Sequence, residues 1–284
     1  MSKLIVNADD FGLHSAVNAA VIDGHRTGII TSTSLLAGGE AFTEAVSMAK
    51  NNPKLGIGVH IALVGGLKPV CNPSEVPSLL TSEGVFPETY IDFMKRIYTG
   101  KINYSELRKE IHAQMERIIE SGLHVTHIDG HQHMHVLPTV LPIVIEQAKR
   151  YGINAIRIPD ESSLFVNYMY SPVRLLGKVG LSTVAAKARP TVRDNGMYST
   201  QYFWGMVNGG HINQKTLMGI LKSVSKKSGT HELMIHPGLN NTILGNQYKW
   251  GYHWEDELQA VCSNHTRLYI RQHNIELINY GDLI

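Results

Sequence analysis

Four histidines and an aspartate fall within nine consecutive residues, at His127, Asp129, His131, His133 and His135. All occupy odd positions, so in extended chain they would share one face. A row of imidazoles on one face suits a borderline cation such as Zn2+, Mn2+ or Fe2+; a surface patch or a polar network is the alternative. Gly130 lets the chain turn after Asp129, so not all four imidazoles can be ligands. His131 stands nearest the expected strand end. Asp129 is suited to orient an imidazole by accepting its second ring N–H.

Three other places carry groups able to do chemistry. Asp9 and Asp10 are adjacent carboxylates at the end of an apolar run. Side chains alternate along a strand, so one of the pair can bind a cation while the other faces a water, although an Asp here can equally cap a turn. His60 lies in an apolar run, where a lone imidazole is ordinarily a core residue; Gly56 and Gly58 nearby permit close backbone approach. His236 is followed by Pro237 and Gly238, which end its strand sharply. An imidazole fixed there can act as a general acid near neutral pH.

These groups need elements to position them. Short β-rich runs alternate with helical patterns, which gives an α/β fold with parallel strands. Strands are expected over residues 3–8, 29–36, 55–63, 124–129, 155–158, 202–207, 231–235 and 276–280. Helices are expected over 15–23, 41–51, 90–98, 105–121, 138–151, 214–226 and 255–274. Seven or eight strands are consistent with a (β/α) barrel, a distorted TIM-like one. Residues 1–284 read as a single domain with an irregular insertion around 159–200. Each candidate group follows or ends an expected strand. In parallel α/β folds the carboxyl ends of strands meet at one face, where active sites are built.

Composition narrows the field. Apolar residues make up 43% of the chain, enough for a substantial core. A net charge of +2 without a long Lys or Arg run gives no footing for a nucleic-acid partner. The apolar run at the N-terminus is too short for a signal peptide, and no stretch is long enough to span a bilayer, so no membrane association is expected. Two isolated cysteines, Cys71 and Cys262, read as free thiols of a reducing compartment, and the expected location is cytoplasmic. A Walker loop, Gly-x-Gly-x-x-Gly, His-Glu-x-x-His and Gly-x-Ser-x-Gly are all absent.

The runs Ile5-Val6-Asn7-Ala8-Asp9-Asp10-Phe11-Gly12, Gly58-Val59-His60, His127-Ile128-Asp129-Gly130-His131-Gln132-His133 and His236-Pro237 together resemble the YdjC-like carbohydrate deacetylases, which include the chitooligosaccharide deacetylases. The runs occur in the family's order and span almost the whole chain. The resemblance implies a barrel related to other polysaccharide deacetylases and one divalent metal ion held by Asp10, His60 and His131. It matches Asp9 to the catalytic base and His236 to the acid that protonates the leaving group. Asp129, His127 and Arg157 are expected to support the ligands or meet the substrate. Ligand softness favours Zn2+ for such a set, while the family expectation includes Mg2+. The implied substrate is an acetylated amino sugar or oligosaccharide, and the implied assembly is a homodimer.

Two other readings compete. A metal-dependent phosphoesterase would want more carboxylates or a second metal, and a cationic group at the pocket, for which Arg157 is the candidate. A non-catalytic sugar- or metal-binding protein would have no need of Asp9 beside the metal.

Overall fold

The computed structural model describes residues 1–161 and 172–283. Its strands are β1 (Ser2–Phe11), β2 (Ser32–Leu35), β3 (Gly56–Ile61), β4 (Val125–Gly130), β5 (Tyr202–Trp204), β6 (Gly229–Ile235) and β7 (Ile275–Leu277). Among the described residues they form one seven-stranded sheet in the order β4-β3-β2-β1-β6-β5, with β7 added to β1, and every pairing is parallel. On one side of β1, β6 runs alongside Ser2–Ala8. The other edge is shared: β7 pairs with Ser2–Leu4 and β2 with Asn7–Phe11.

Helices connect successive strands. They are α1 (Ser15–Thr27), α2 (Phe42–Lys50), α3 (Tyr90–Tyr98), α4 (Tyr104–Glu120), α5 (Leu141–Tyr151), α6 (Pro172–Asp194), α7 (Gln214–Val224), α8 (Asn241–Gln247), α9 (Trp254–Cys262) and α10 (Asn264–Gln272). The strand side chains sort by parity, as the two-residue repeat requires. Leu4, Val6 and Ala8 of β1 join the large apolar cluster that the helices cover. Ile5 points the other way, into a small cluster with Ala155, Ile278 and Tyr280. Asn7 and Asp9 follow Ile5 on that inner face, and the inner face turns polar toward the carboxyl ends of the strands.

The fold is thus α/β with a parallel half-barrel. The strand expected at 155–158 is reduced to single bridges, Ile128 with Ile156 and Ala155 with Tyr198. It has little room, because Gly152 ends α5 in left-handed backbone and Pro159 brings no N–H to a ladder. The expected helix 255–274 is two helices. Ser263 is extended (φ −61°, ψ 137°), and its hydroxyl accepts from the His265 N–H at 3.1 Å, starting α10 afresh. The expected irregular insertion 159–200 contains α6; its residues 162–171 lie outside the described residues. The short α8, started by the Asn240 side chain, was not expected from the sequence. Cys71 and Cys262 form no disulfide. No described helix is long and apolar enough to cross a membrane.

The inner face is packed closely enough to need glycine. A Cβ on Gly58 would stand 2.4 Å from the His127 ring across the β3–β4 pair. That ring is itself stacked on Tyr280 at 3.8 Å and has no free side to retreat to. Gly58→Ala is therefore expected to cost about 1–3 kcal/mol of stability through overpacking. A urea unfolding midpoint equal to that of the parent chain would show that the ring can move.

Candidate metal centre

β1 ends in a bulge. Its pairing with β2 slips between Ala8 and Phe11, and Asp10 takes left-handed backbone (φ 66°), a conformation that Asp tolerates better than most side chains. A regular strand would send Asp9 and Asp10 to opposite faces. Here Asp9 turns to Asn7 and Arg157, and Asp10 reaches His60 and His131. His60 stands beside Asp129 in the β3–β4 register, and His131 follows β4 directly.

The Asp10 Oδ1 lies 3.0 Å from His131 Nδ1 and 3.3 Å from His60 Nε2. One donor atom from each of these buried residues falls within 4.8 Å of the others. Asp10 Oδ2, His60 Nε2 and His131 Nε2 have no hydrogen-bond partner. Orphaned polar atoms of this kind cost about 1–3 kcal/mol each when buried, so one on each of three adjoining side chains calls for a ligand. Two imidazole nitrogens and a carboxylate oxygen fit a divalent cation. Burial alone would lower the His60 pKa, but Asp129, Asp10 and Asp9 outweigh it and push it up to about 10. The Asp10 carboxyl, despite its burial, is held well below the carboxylate range by His131 and His60. The same surroundings favour a metal cation in place of a proton. Asp129 accepts from His60 Nδ1 at 2.7 Å, which leaves Nε2 facing Asp10.

Arg157 occupies the centre beneath. It is fully buried, and its Nη1 and Nη2 donate to the two oxygens of Asp9, each at 2.7 Å. Its Nε donates to Glu232 at 2.7 Å, and Nη2 lies 3.0 Å from Asp129. Asn7 adds a 2.8 Å hydrogen bond to Asp9 Oδ1. Asp9, His60 and Asp129 form a second grouping with metal-ligand spacing, but Arg157 already engages both carboxylates. Glu232 also accepts from the Tyr280 hydroxyl.

A cavity of about 510 Å³ opens over the centre, lined by Asp9, His60, His131 and His236 at the polar side. Met94, Met134, Leu137, Leu181, Val184, Met206 and Met234 give it apolar walls. The His236 backbone N–H donates to Glu257, and its Nδ1 lies 4.0 Å from the same carboxylate without a hydrogen-bond partner. Burial lowers the His236 pKa against the pull of Asp9 and Asp10, and burial raises Glu257 to about 8 against the N–H groups it accepts. Trp250 stands against His131, ring centres 4.7 Å apart, and Tyr252 against His236 at the same separation.

The sequence-derived candidates therefore divide. Asp9, Asp10, His60, His131 and His236 converge, with Asp129 and Arg157 behind them. His127 does not reach the cavity: it stacks on Tyr280, bonds Thr126 at 2.9 Å, and is pushed down to about 3 by burial. The shared face expected for the odd residues ends at Gly130. Gln132 and His133 both have positive φ, 48° and 61°, and turn the chain away. His135 is spent on the Arg157 carbonyl at 2.9 Å, whereas His133 lines the cavity. Asn7, Glu232, Glu257 and Tyr280 went unread. For Asn7 and Glu232 a signal existed, since they sit two and four residues before Asp9 and His236 on the same strand face.

The sequence profile described as YdjC-like protein matches residues 3–272. A carbohydrate deacetylase of Thermoanaerobacter pseudethanolicus is 30% identical over 283 residues, covering 100% of both chains. A chitooligosaccharide deacetylase of Salmonella paratyphi B is 31% identical over 262 residues, covering 92% of this chain and 90% of its own. A crystal structure of a proposed cellobiose-phosphate cleavage protein from Enterococcus faecalis superposes with a TM-score of 0.79 at 27% identity, covering 99% of this chain and 98% of its own.

Two stability measurements check the buried network. Arg157→Met strands the carboxylates of Asp9, Asp129 and Glu232 and is expected to cost at least about 3–5 kcal/mol in urea unfolding. An unchanged midpoint would show that these acids do not lean on the guanidinium. Burial pushes Glu232 up to about 7, with Arg157 and Tyr280 only partly offsetting it. A carboxyl raised in the folded state contributes stability in full below its ordinary value of 4.5 and loses it as pH climbs through about 7. The unfolding midpoint should fall across that window, and Glu232→Gln should flatten the fall. Identical slopes in the two proteins would remove Glu232 as the cause.

Proposed function

The chain belongs to the YdjC-like protein family, and from that membership we propose that it is a metal-dependent carbohydrate deacetylase that hydrolyses the N-acetyl amide of an amino sugar or short oligosaccharide. The observation that carries this reading is the meeting of Asp10, His60 and His131 beside a carboxylate, Asp9, whose two oxygens are held by Arg157.

Asp10, His60 and His131 would hold a divalent ion, Zn2+ or Mg2+, with Asp129 fixing the His60 ring. When bound, that ion supplies a Lewis acid that makes water acidic enough to ionise near neutral pH and polarises the acetyl carbonyl. Asp9 accepts the proton of the attacking water. Arg157 and Asn7 hold its carboxylate in one orientation, so the base is aimed before substrate arrives. An amine is a poor leaving group unless protonated, and His236 delivers that proton as the C–N bond breaks. The buried His236–Glu257 pair can keep one exchangeable proton at neutral pH. Tyr252, which lines the cavity beside His236, offers a ring face to a sugar, and Trp250 packs against the His131 ring.

Arg157 weighs against the phosphoesterase reading. Its guanidinium is wholly buried, committed to three carboxylates and absent from the residues that line the cavity, so it is not presented to a phosphate there. Asp9 weighs against a binding protein, because an oriented, unligated base serves turnover.

Asp9→Asn is expected to retain metal in elemental analysis and to lose at least about 100-fold in acetate release from chitobiose. His131→Ala should lose the metal itself. Full turnover by Asp9→Asn would remove the carboxylate from the mechanism. Undiminished metal content in His131→Ala would dissolve the proposed ligand set.

A further inference from the structure

The two imidazoles of the cation site are held in different ways. A metal-bound histidine ordinarily gives its second ring nitrogen to a carboxylate, a carbonyl or a water, which fixes the ring. His60 follows that pattern, with Nδ1 on Asp129 at 2.7 Å. His131 does not. Its Nδ1 meets Asp10, a member of the same ligand set, at 3.0 Å, and its Nε2 meets no hydrogen-bond partner. The main chain of Gly65 closes that edge, since a Cβ there would stand 2.6 Å from Nε2. The backbone is no firmer a guide: His131 lies past the end of β4, and the next two residues are left-handed.

Packing takes the place of the missing bond. Trp250 lies against the His131 ring, with centres 4.7 Å apart and planes tilted by 43°. It is one rung of an aromatic ladder, for Tyr248, Trp250, Tyr252 and Trp254 alternate from the end of α8 to the start of α9. Successive ring centres stand 5.0, 5.6 and 5.5 Å apart. Both end rungs are buried and anchored. The Tyr248 hydroxyl donates to the Leu13 carbonyl at 3.2 Å, and the Trp254 carbonyl accepts from the Gly238 N–H at 3.2 Å. Trp250 is therefore braced by a ring on either side before it touches His131. Tilted ring pairs at this spacing attract one another as well as filling space.

We propose that Trp250 is a positioning residue for the metal ligand His131, fixing its imidazole by ring packing as Asp129 fixes that of His60 by a hydrogen bond. The inference rests on the ligand set of the deacetylase reading and goes beyond it in assigning what orients the ring. A planar neighbour at 4.7 Å resists rotation of the imidazole about its Cβ–Cγ bond, which a flexible aliphatic side chain does not. A ligand held in this way need not be ordered when the cation arrives, so affinity rises without a further bond to the cation.

Two variants separate positioning from bulk. Phenylalanine keeps a flat ring on the ladder, whereas leucine keeps apolar volume without one. Zinc affinity of the metal-stripped proteins, followed by calorimetry, is expected to fall about tenfold in Trp250→Leu and less than about threefold in Trp250→Phe. Loaded with cobalt(II), Trp250→Leu should show visible absorption bands displaced from the parent's, because the bands report the placing of the ligands. Trp250→Phe should keep the parent's bands. The proposal is overturned by parental zinc affinity in Trp250→Leu, by an equal loss in Trp250→Phe, or by parental cobalt bands in Trp250→Leu. A loss of affinity that merely tracks the urea midpoints of the metal-free proteins would overturn it too, by assigning the ring to the fold alone. A parent protein that binds zinc but releases no acetate from chitobiose would sink the deacetylase reading and leave this one standing. A parent that binds no divalent cation would overturn the ligand set and the role of Trp250 with it.

Discussion

One buried cation sets the terms for the centre. Arg157 lies among Asp9, Asp129 and Glu232 with no exposure to solvent, and the pull of those acids keeps it charged in spite of its burial. Each acid comes from a different strand: β1, β4 and β6. The guanidinium is planar and presents donors along fixed directions, so it fixes the angles between those strands' inner side chains as well as neutralising them. Three negative groups against one positive leave an excess of negative charge. That excess is felt at His60, which Asp129, Asp10 and Asp9 push up to about 10 against its burial, while Glu232 is raised to about 7 chiefly by burial, with Asp129 adding to it.

The consequence is a graded interior. Toward the start of the strands the inner face is apolar and aromatic, with Ile5, Ala155, Ile278 and Tyr280. In the middle it is ionic, with both oxygens of Asp9, Asp129 and Glu232 engaged. At the carboxyl ends it is polar and unsatisfied, with orphaned atoms on Asp10, His60, His131 and His236. Saturation below is what allows want of partners above: the middle layer holds the side chains still, so the upper layer keeps its geometry without bonds of its own. The bulge in β1 joins these layers, because one left-handed residue separates the carboxylate that belongs to the ionic layer from the one that belongs to the cation site.

Much of this could be read from the chain and some could not. Residue types at strand ends, Asp9-Asp10, His60, His131 and His236, stand out because a parallel sheet brings such ends together whatever their distance in sequence. Alternation also told Asp129 from its neighbours. The twist of Asp10 out of its strand was not legible, since Asp is equally at home in extended chain and in a turn. Arg157 was expected to support the ligands or meet the substrate, but its three acidic partners were not legible, since they depend on β1 lying between β2 and β6, an order unlike that of the sequence. The helix break at Ser263 escaped because apolar periodicity runs straight across it. The strand at 155–158 was overread for the converse reason: its residues suit a ladder, but Gly152 and Pro159 leave too short a span to build one.

The divided edge of β1 has a bearing on how the polypeptide comes to be made. Every proposed cation ligand lies within the first 131 residues, on β1, β3 and just past β4, and those strands can pair as soon as they emerge from the ribosome. The remaining partners of β1 are β6 and β7, which come later in the sequence, and with β6 comes Glu232. Until they are made, Ser2–Ala8 lacks its β6 neighbour and Ser2–Leu4 its β7 neighbour. The last three-residue strand, slipping in beside Ser2–Leu4, is the bolt that closes the door.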